Sequence, residues 1–351
     1  METMPSILKP YEPILITGAA GFLGPAVVER ALYHGFRNIR AFIRPSSNTS
    51  RLSEVARKYR SEAQVEIISG NLLAREDCKA AAKGTSVILH LATSGDKSFA
   101  GSYLNSVVAT RNLLDATLEA ANLKRFVNVS SFAVYTNKGK HSRLLDESAP
   151  VETQPQRRGE AYCYAKTKQD ELVADYGKRF GLAYVIVRPG SVYGPGKTGI
   201  TGRVGIDSFG PFLHMGGSNI IPLTYIDNCA DAILYAGLRE GVDGEIFNIV
   251  DDDLPSSRKF LRLYKRNVRR FRSLYVPSAA SYALCWFWEK YHAWSEGQLP
   301  PVFNRGRWHA EWKSTRYSNE KAKSRLGWRP QVSTDEGLRR YFEACLEAQH
   351  A

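Results

Sequence analysis

The sequence predicts an α/β protein whose main body is a doubly wound parallel sheet, with a smaller, mostly helical lobe toward the C-terminus. Two observations carry that reading. Short β-rich apolar runs alternate strictly with amphipathic helical stretches as far as Pro189, and a glycine-spaced loop separates the first run from the first helix.

The runs are Ile14–Thr17, Arg40–Ile43, Val65–Ile68, Val87–Leu91, Phe126–Val129 and Tyr184–Val187, each too short for a helix. Helical patterns lie between them, for example Leu104–Ala121, with Leu113, Leu114 and Leu118, and Cys163–Phe180. Such alternation builds βαβ units with helices on both faces of a parallel sheet. From Gly190 to Gly217 it gives way to a Gly/Pro-rich stretch suited to substrate loops, then resumes with a helix at Asn228–Leu238 and a strand at Glu245–Val250. Beyond Asp251 the chain is rich in Arg and aromatics, lacks strand alternation and ends in a helix at Asp335–Ala348.

Composition narrows the class. The 351 residues are 43% hydrophobic and 24% charged, which supports a proper core and excludes disorder and fibre. No run approaches a membrane span and Met1–Pro13 lacks a signal core, so a cytoplasmic location is expected. Cys78, Cys163, Cys229, Cys285 and Cys345 are scattered and read as reduced packing residues; the seven His form no ligand cluster, so no metal site is expected. A net charge of +13 favours an anionic partner.

The loop Thr17-Gly18-Ala19-Ala20-Gly21-Phe22-Leu23-Gly24 ends the first strand and opens a helix running to about Tyr33. That is the setting of a dinucleotide loop: Gly18 for the turn, Gly21 for backbone approach to a pyrophosphate, Gly24 for close helix–strand packing. The expected organisation is a dinucleotide-binding Rossmann-type domain over 12–192, rejoined by 227–250, with a substrate lobe from 193–226 and 251–351. At the end of the second strand stands Arg44-Pro45-Ser46-Ser47, where an NAD enzyme places an acid on the ribose 2′-hydroxyl. An Arg with nearby hydroxyls suits a 2′-phosphate, so NADP(H) is the preferred cofactor and NAD(H) the alternative.

Tyr162-Cys163-Tyr164-Ala165-Lys166 places Tyr162 and Lys166 on one helical face. A phenol, with an ordinary pKa of about 10, works as a base at neutral pH only when a cation stabilises its phenolate, and Lys166 is in position to supply it. Asn128-Val129-Ser130-Ser131 ends the fifth strand at the carboxyl edge of the sheet, where ligands bind in open α/β folds.

With Gly-x-x-Gly-x-x-Gly, the Tyr-x-x-x-Lys pair, Arg188-Pro189-Gly190-Ser191-Val192-Tyr193-Gly194-Pro195-Gly196 and Lys321–Pro330, nearly the whole chain resembles the extended short-chain dehydrogenase/reductase superfamily. The resemblance implies an NAD(P)-dependent enzyme with catalytic residues Ser131, Tyr162 and Lys166, supported by Asn105 through a relay water. It implies cofactor contacts from Gly18, Gly21, Phe22, Leu23, Gly24 and Arg44. Further contacts would come from Asn71, Leu72, Ala92, Tyr162, Lys166 and Pro189. Asn71 departs from the acid common in its motif. A homodimer is the expected assembly.

Two substrate classes compete. Nucleotide sugars, as in epimerases, dehydratases and reductases, would place a diphosphate near Arg203 and Arg307, with Ser131 and Ser191 also at the substrate. The other class is apolar: Val276–Trp288, followed by Leu299-Pro300-Pro301, resembles the lid of 3β-hydroxysteroid dehydrogenases and dihydroflavonol reductases. The missing acid at Arg44 and the aromatic lid favour this second class. Before the lid, Phe260, Tyr264, Val268, Phe271 and Tyr275 form a stripe in a helix carried to Arg272, with eight basic residues and no acid from Arg258 to Arg272. The pattern fits an interfacial helix on an anionic membrane, or a lobe-core stripe with a solvated basic face. No nucleic-acid motif accompanies it, so no nucleic acid is expected; a nonenzymatic nucleotide sensor at a charged surface is the remote alternative.

Overall fold

The computed structural model describes residues 6–120, 122–137, 144–207, 210–296, 298 and 303–350. Seven parallel strands form the main sheet in the spatial order Ile246–Ile249, Tyr184–Pro189, Arg125–Val129, Val87–His90, Ile14–Thr17, Asn38–Ile43, Gln64–Ser69. The central strands Ile14–Thr17, Val87–His90 and Arg125–Val129 are buried at every position, which explains why they read as continuous apolar runs rather than alternating ones. Gln64–Ser69 has no buried position, as befits an edge. From Ile14–Thr17 the chain winds one way through Asn38–Ile43 and the other way through Val87–His90, so the crevice at their carboxyl ends is the fold's switch point.

Helix Gly24–Tyr33 packs against Ile226–Leu238, whose sides are nearly all buried, on one face of the sheet. The helical run predicted from Leu104 is continuous but changes pitch: Phe99–Ser102 is α-helical, Tyr103–Val108 is a π-helical turn and Ala109–Leu118 is α-helical. Ala121, the end of that expectation, lies outside the described residues, as do Leu299, Pro300 and Pro301 of the lid motif. Helix Ala161–Phe180 stops at Gly181, which takes the left-handed conformation.

The C-terminal half holds more strand than its sequence suggested. Within the Gly/Pro-rich stretch Ser191–Tyr193 pairs with Leu223–Tyr225, and Phe212–His214 pairs with Gly205–Ile206 and with Ser273–Tyr275. The basic helix spans Ser257–Asn267 and does not reach Arg272. The chain leaves the helix because Phe271 turns in against Phe212 and Tyr264, setting Ser273–Tyr275 beside Phe212–His214. Phe260, Tyr264 and Val268 are buried in the main core, so the stripe belongs to the lobe's interior and is not a membrane-inserting face. Among the described residues no helix is long and apolar enough to cross a membrane.

Candidate active site

The switch point opens into a cleft of about 950 Å³ that runs from the glycine loop to the substrate lobe. Gly18 holds φ +69°, and a Cβ there would stand 3.0 Å from the backbone nitrogen of Ala92. A Cβ on Gly24 would collide with the Ala19 carbonyl. Leu23 gives helix Gly24–Tyr33 no side-chain cap, so its leading N–H groups face the cleft as donors for a phosphate. Behind the loop, His90 Nδ1 lies 2.7 Å from Thr17 Oγ1 and Nε2 lies 2.9 Å from Thr110 Oγ1. Thr110 Oγ1 also accepts a hydrogen bond from Gln169 Nε2 at 2.7 Å and donates one to the Ser106 carbonyl at 2.6 Å. This assigns the His90 proton to Nε2. Complete burial, with the Lys166 charge nearby, pushes the imidazole down to about 3, so it stays neutral.

Arg44 lines the far end of the cleft with Ser47 and Asn48, and makes no side-chain hydrogen bond or ion pair among the described residues. Asn71 and the nearly buried Leu72 line the same end. The Asn71 carbonyl oxygen accepts the Leu73 N–H at 3.0 Å, leaving its NH₂ as the group most available to a base edge. Ala92 and Pro189 lie along the wall, beside Phe22 and Leu23.

Ser131, at the end of Arg125–Val129, reaches Tyr162 on helix Ala161–Phe180. Burial of the phenol oxygen raises it above its ordinary value, and the hydrogen bond with Ser131 works in the opposite direction. Lys166 is buried and donates a hydrogen bond to the Val129 carbonyl at 2.7 Å; no hydrogen bond joins it to Tyr162 among the described residues. Burial lowers the ammonium to about 8, opposed by Asp170 one turn further along the helix. Asp170 accepts Asn128 Nδ2 at 2.9 Å and Arg188 Nε at 3.0 Å, both buried. Asn105 sits on the π-helical turn and lines the cleft, an irregularity common at functional sites.

The substrate end differs from a bare cationic pocket. Ser191 and Arg203 line it, but Arg203 donates to the Ala310 carbonyl at 2.9 Å and lies 3.4 Å from the Tyr317 hydroxyl. Arg307 is outside the lining and is held by Glu311 at 3.2 Å and Glu160 at 3.5 Å. Glu160, just before helix Ala161–Phe180, also meets the buried Arg158 at 2.5 Å; burial raises its carboxyl, with Arg158 pulling down and Glu311 pushing up. Glu160, Glu311 and Arg158 were not singled out from the sequence, and Cys163 was read there only as a packing residue. The position of Glu160, two residues before Tyr162, was a readable signal; the pairing with Glu311, 151 residues away, was not. All five cysteines are free and buried, and no cluster of metal-ligating residues occurs among the described residues.

Comparison with known proteins gives this arrangement a context. Residues 14–250 match the NAD dependent epimerase/dehydratase family. The chain is 25% identical to the 3beta-hydroxysteroid-dehydrogenase/decarboxylase isoform 1 of Arabidopsis thaliana, over 96% of this chain and 80% of that protein. It is 26% identical to a trifunctional UDP-glucose 4,6-dehydratase/epimerase/reductase of the same plant, over 68% of this chain and only 37% of the longer relative. Among solved structures, the UDP-glucuronic acid 4-epimerase of Bacillus cereus in complex with NAD shares the fold, with a TM-score of 0.71, 21% identity and coverage of 97% and 100%.

Proposed function

Since the chain belongs to the NAD dependent epimerase/dehydratase family and is an enzyme of the extended short-chain dehydrogenase type, we propose that it oxidises or reduces a secondary alcohol or ketone on a bulky apolar molecule, of the steroid or flavonoid kind. The relatives' names include a 3β-hydroxysteroid dehydrogenase/decarboxylase and a dihydroflavonol 4-reductase/flavanone 4-reductase. The observation that carries the choice is the fate of the two candidate diphosphate ligands. Arg307 is neutralised by Glu160 and Glu311, and Arg203 is spent on a carbonyl and a tyrosine hydroxyl. With their guanidiniums already engaged, neither arginine offers a diphosphate a free counter-charge, whereas an uncharged ring system needs none.

The glycine cradle, with its uncapped helix start, fits a dinucleotide, and the unpaired Arg44 fits a 2′-phosphate, so NADP(H) is the preferred form in this reading. The bound nicotinamide supplies a hydride acceptor or donor. Ser131 holds the substrate oxygen, Tyr162 moves the hydroxyl proton, and Lys166 stabilises the phenolate by its charge. Asn105 orients a relay water toward Lys166. Peripheral contact with an anionic membrane and a homodimeric assembly complete the reading.

The test is a turnover assay with NADP+ and NAD+ on a panel of 3-hydroxysteroids and flavanols, beside calorimetric titration with uridine diphosphate. Turnover of a panel member with no diphosphate binding supports the reading. Tight uridine diphosphate binding with turnover of a nucleotide sugar would replace it with the nucleotide-sugar class, which the 26% identical trifunctional relative represents.

A further inference from the structure

The geometry points to a membrane-docking face on helix Ser278–Trp294: its outer side seats this protein on an anionic lipid bilayer, with aromatic side chains entering the headgroup region and the preceding basic segment holding lipid phosphates. This deepens the membrane contact included in the proposed function by naming its surface, and stands or falls separately from the redox chemistry.

Leu284, Phe287, Tyr291 and Trp294 are 40%, 63%, 47% and 77% exposed. At 3.6 residues per turn these four lie within an arc of about 80°, one continuous outward stripe. The opposite side is occupied: Ser281 and Cys285 are buried, Trp308 Nε1 donates to Ser281 Oγ at 2.8 Å, and Cys285 packs with Trp308 and Trp312. The helix's only acid, Glu289, is turned away from the stripe to Arg305, whose Nε lies 2.8 Å from it. Lys290 flanks the stripe and lies over the Trp286 ring at 5.9 Å. A protein surface rarely leaves this much aromatic area in one line without a partner.

Charge identifies the occupant. Strand Ser273–Tyr275, with Leu274 and Tyr275 exposed, runs into the aromatic helix and is fastened to the basic helix. The Arg258 guanidinium lies over the Tyr275 ring at 5.4 Å and Lys265 Nζ donates to Ser273 Oγ at 2.6 Å. Arg262, Arg266, Arg269, Arg270 and Arg272 are all exposed on the segment leading to that strand. A second copy of a +13 chain would bring like charges together at this face, and a nucleic acid would leave the apolar stripe unsatisfied. An anionic bilayer satisfies both parts, because tryptophan and tyrosine favour the headgroup level and basic residues beside them favour acidic lipid. The inner side of the same helix connects it to the cleft: it packs on Arg305–Glu311, which carries the pocket residue Glu311, and Trp312 Nε1 donates to the carbonyl of the lining residue Gly202 at 3.0 Å.

The experiment is cosedimentation of the full chain with vesicles of phosphatidylcholine alone or with roughly 30% phosphatidylserine, which gives the surface the negative potential of an anionic leaflet. Expected are binding to the serine-containing vesicles, weakening with salt, and a loss of roughly tenfold or more for Phe287→Glu/Trp294→Glu, from burying two charges in the interface. Arg266→Ala/Arg270→Ala should reduce binding to acidic vesicles. Unchanged melting temperature and NADPH affinity would show that the exposed variants fold. The proposal is overturned if the native chain ignores both vesicle types, or if the aromatic variant binds like the native chain. It is equally overturned if the aromatic substitutions abolish a self-association seen by sedimentation velocity while vesicle binding persists, which would make the face a contact between copies.

Discussion

Lys166 and Val129 join two elements that border the cleft: the ammonium of helix Ala161–Phe180 donates to the last carbonyl of strand Arg125–Val129 at 2.7 Å. The bond fixes Lys166 where the strand ends, beside Ser130 and Ser131, rather than on Tyr162. In the proposed mechanism the cation therefore acts on the phenol through space, and its charge state becomes a titratable property of the site. Asp170 sustains that charge from the same helix.

Asp170→Asn should move the Lys166 titration below its value of about 8, because the carboxylate is the influence that raises it. The basic limb of the turnover profile then shifts toward acid. The buried Arg188 loses its partner as well, so urea denaturation should show a loss of about 3 to 5 kcal/mol. A profile that stays in place while stability falls would leave Asp170 purely structural.

Tyr162→Phe should cut turnover by roughly 10² to 10⁴ while NADPH titration changes little, since the proton is lost and the ring remains. Ser131→Ala should lose turnover too and, by deleting the hydrogen bond that pulls the phenol down, move the apparent Tyr162 titration further up. Near-native turnover by Tyr162→Phe on an accepted substrate would remove it from the mechanism.

Arg44→Asp should weaken NADPH by about 2 kcal/mol, roughly 30-fold, and spare NADH, because an attractive charge becomes a repulsive one. Fluorescence titration with both nucleotides measures it. Equal affinities in the unaltered protein would already count against a 2′-phosphate site at Arg44.

Acid should destabilise the fold through His90. The folded imidazole resists protonation down to about 3, while in the unfolded chain it takes a proton near 6.5. Between those values the unfolded state binds the extra proton, so stability falls as pH drops, by about 1.4 kcal/mol per unit from this group. Urea midpoints at pH 7, 5.5 and 4.5 should decline, and the slope should be shallower in His90→Gln.

Local signals made the sheet and the cofactor end legible. Ile14–Thr17, Val87–His90 and Arg125–Val129 are sheltered on both faces and so advertise themselves as apolar runs, and Gly18 and Gly24 mark backbone positions that tolerate no side chain. The substrate end was less legible because its character lies in pairings across the chain: Arg307 reads as a free cation until Glu160 is seen beside it. The end of the basic helix was misjudged for a similar reason. Nothing between Val268 and Arg272 breaks a helix by composition; what ends it is the place that Phe271 finds against Phe212 and Tyr264.

The spatial order of the seven strands also has a meaning for synthesis. The half-sheet from Val87–His90 to Gln64–Ser69 is assembled from the first four strands to be made, but Tyr184–Pro189 gains its outer neighbour, Ile246–Ile249, only after some sixty further residues have been made. Until then a buried, apolar strand presents an open hydrogen-bonding edge. A nascent chain halted within that interval would carry an intact glycine loop and an adhesive border, which makes premature termination there a route to aggregation rather than to a smaller working enzyme.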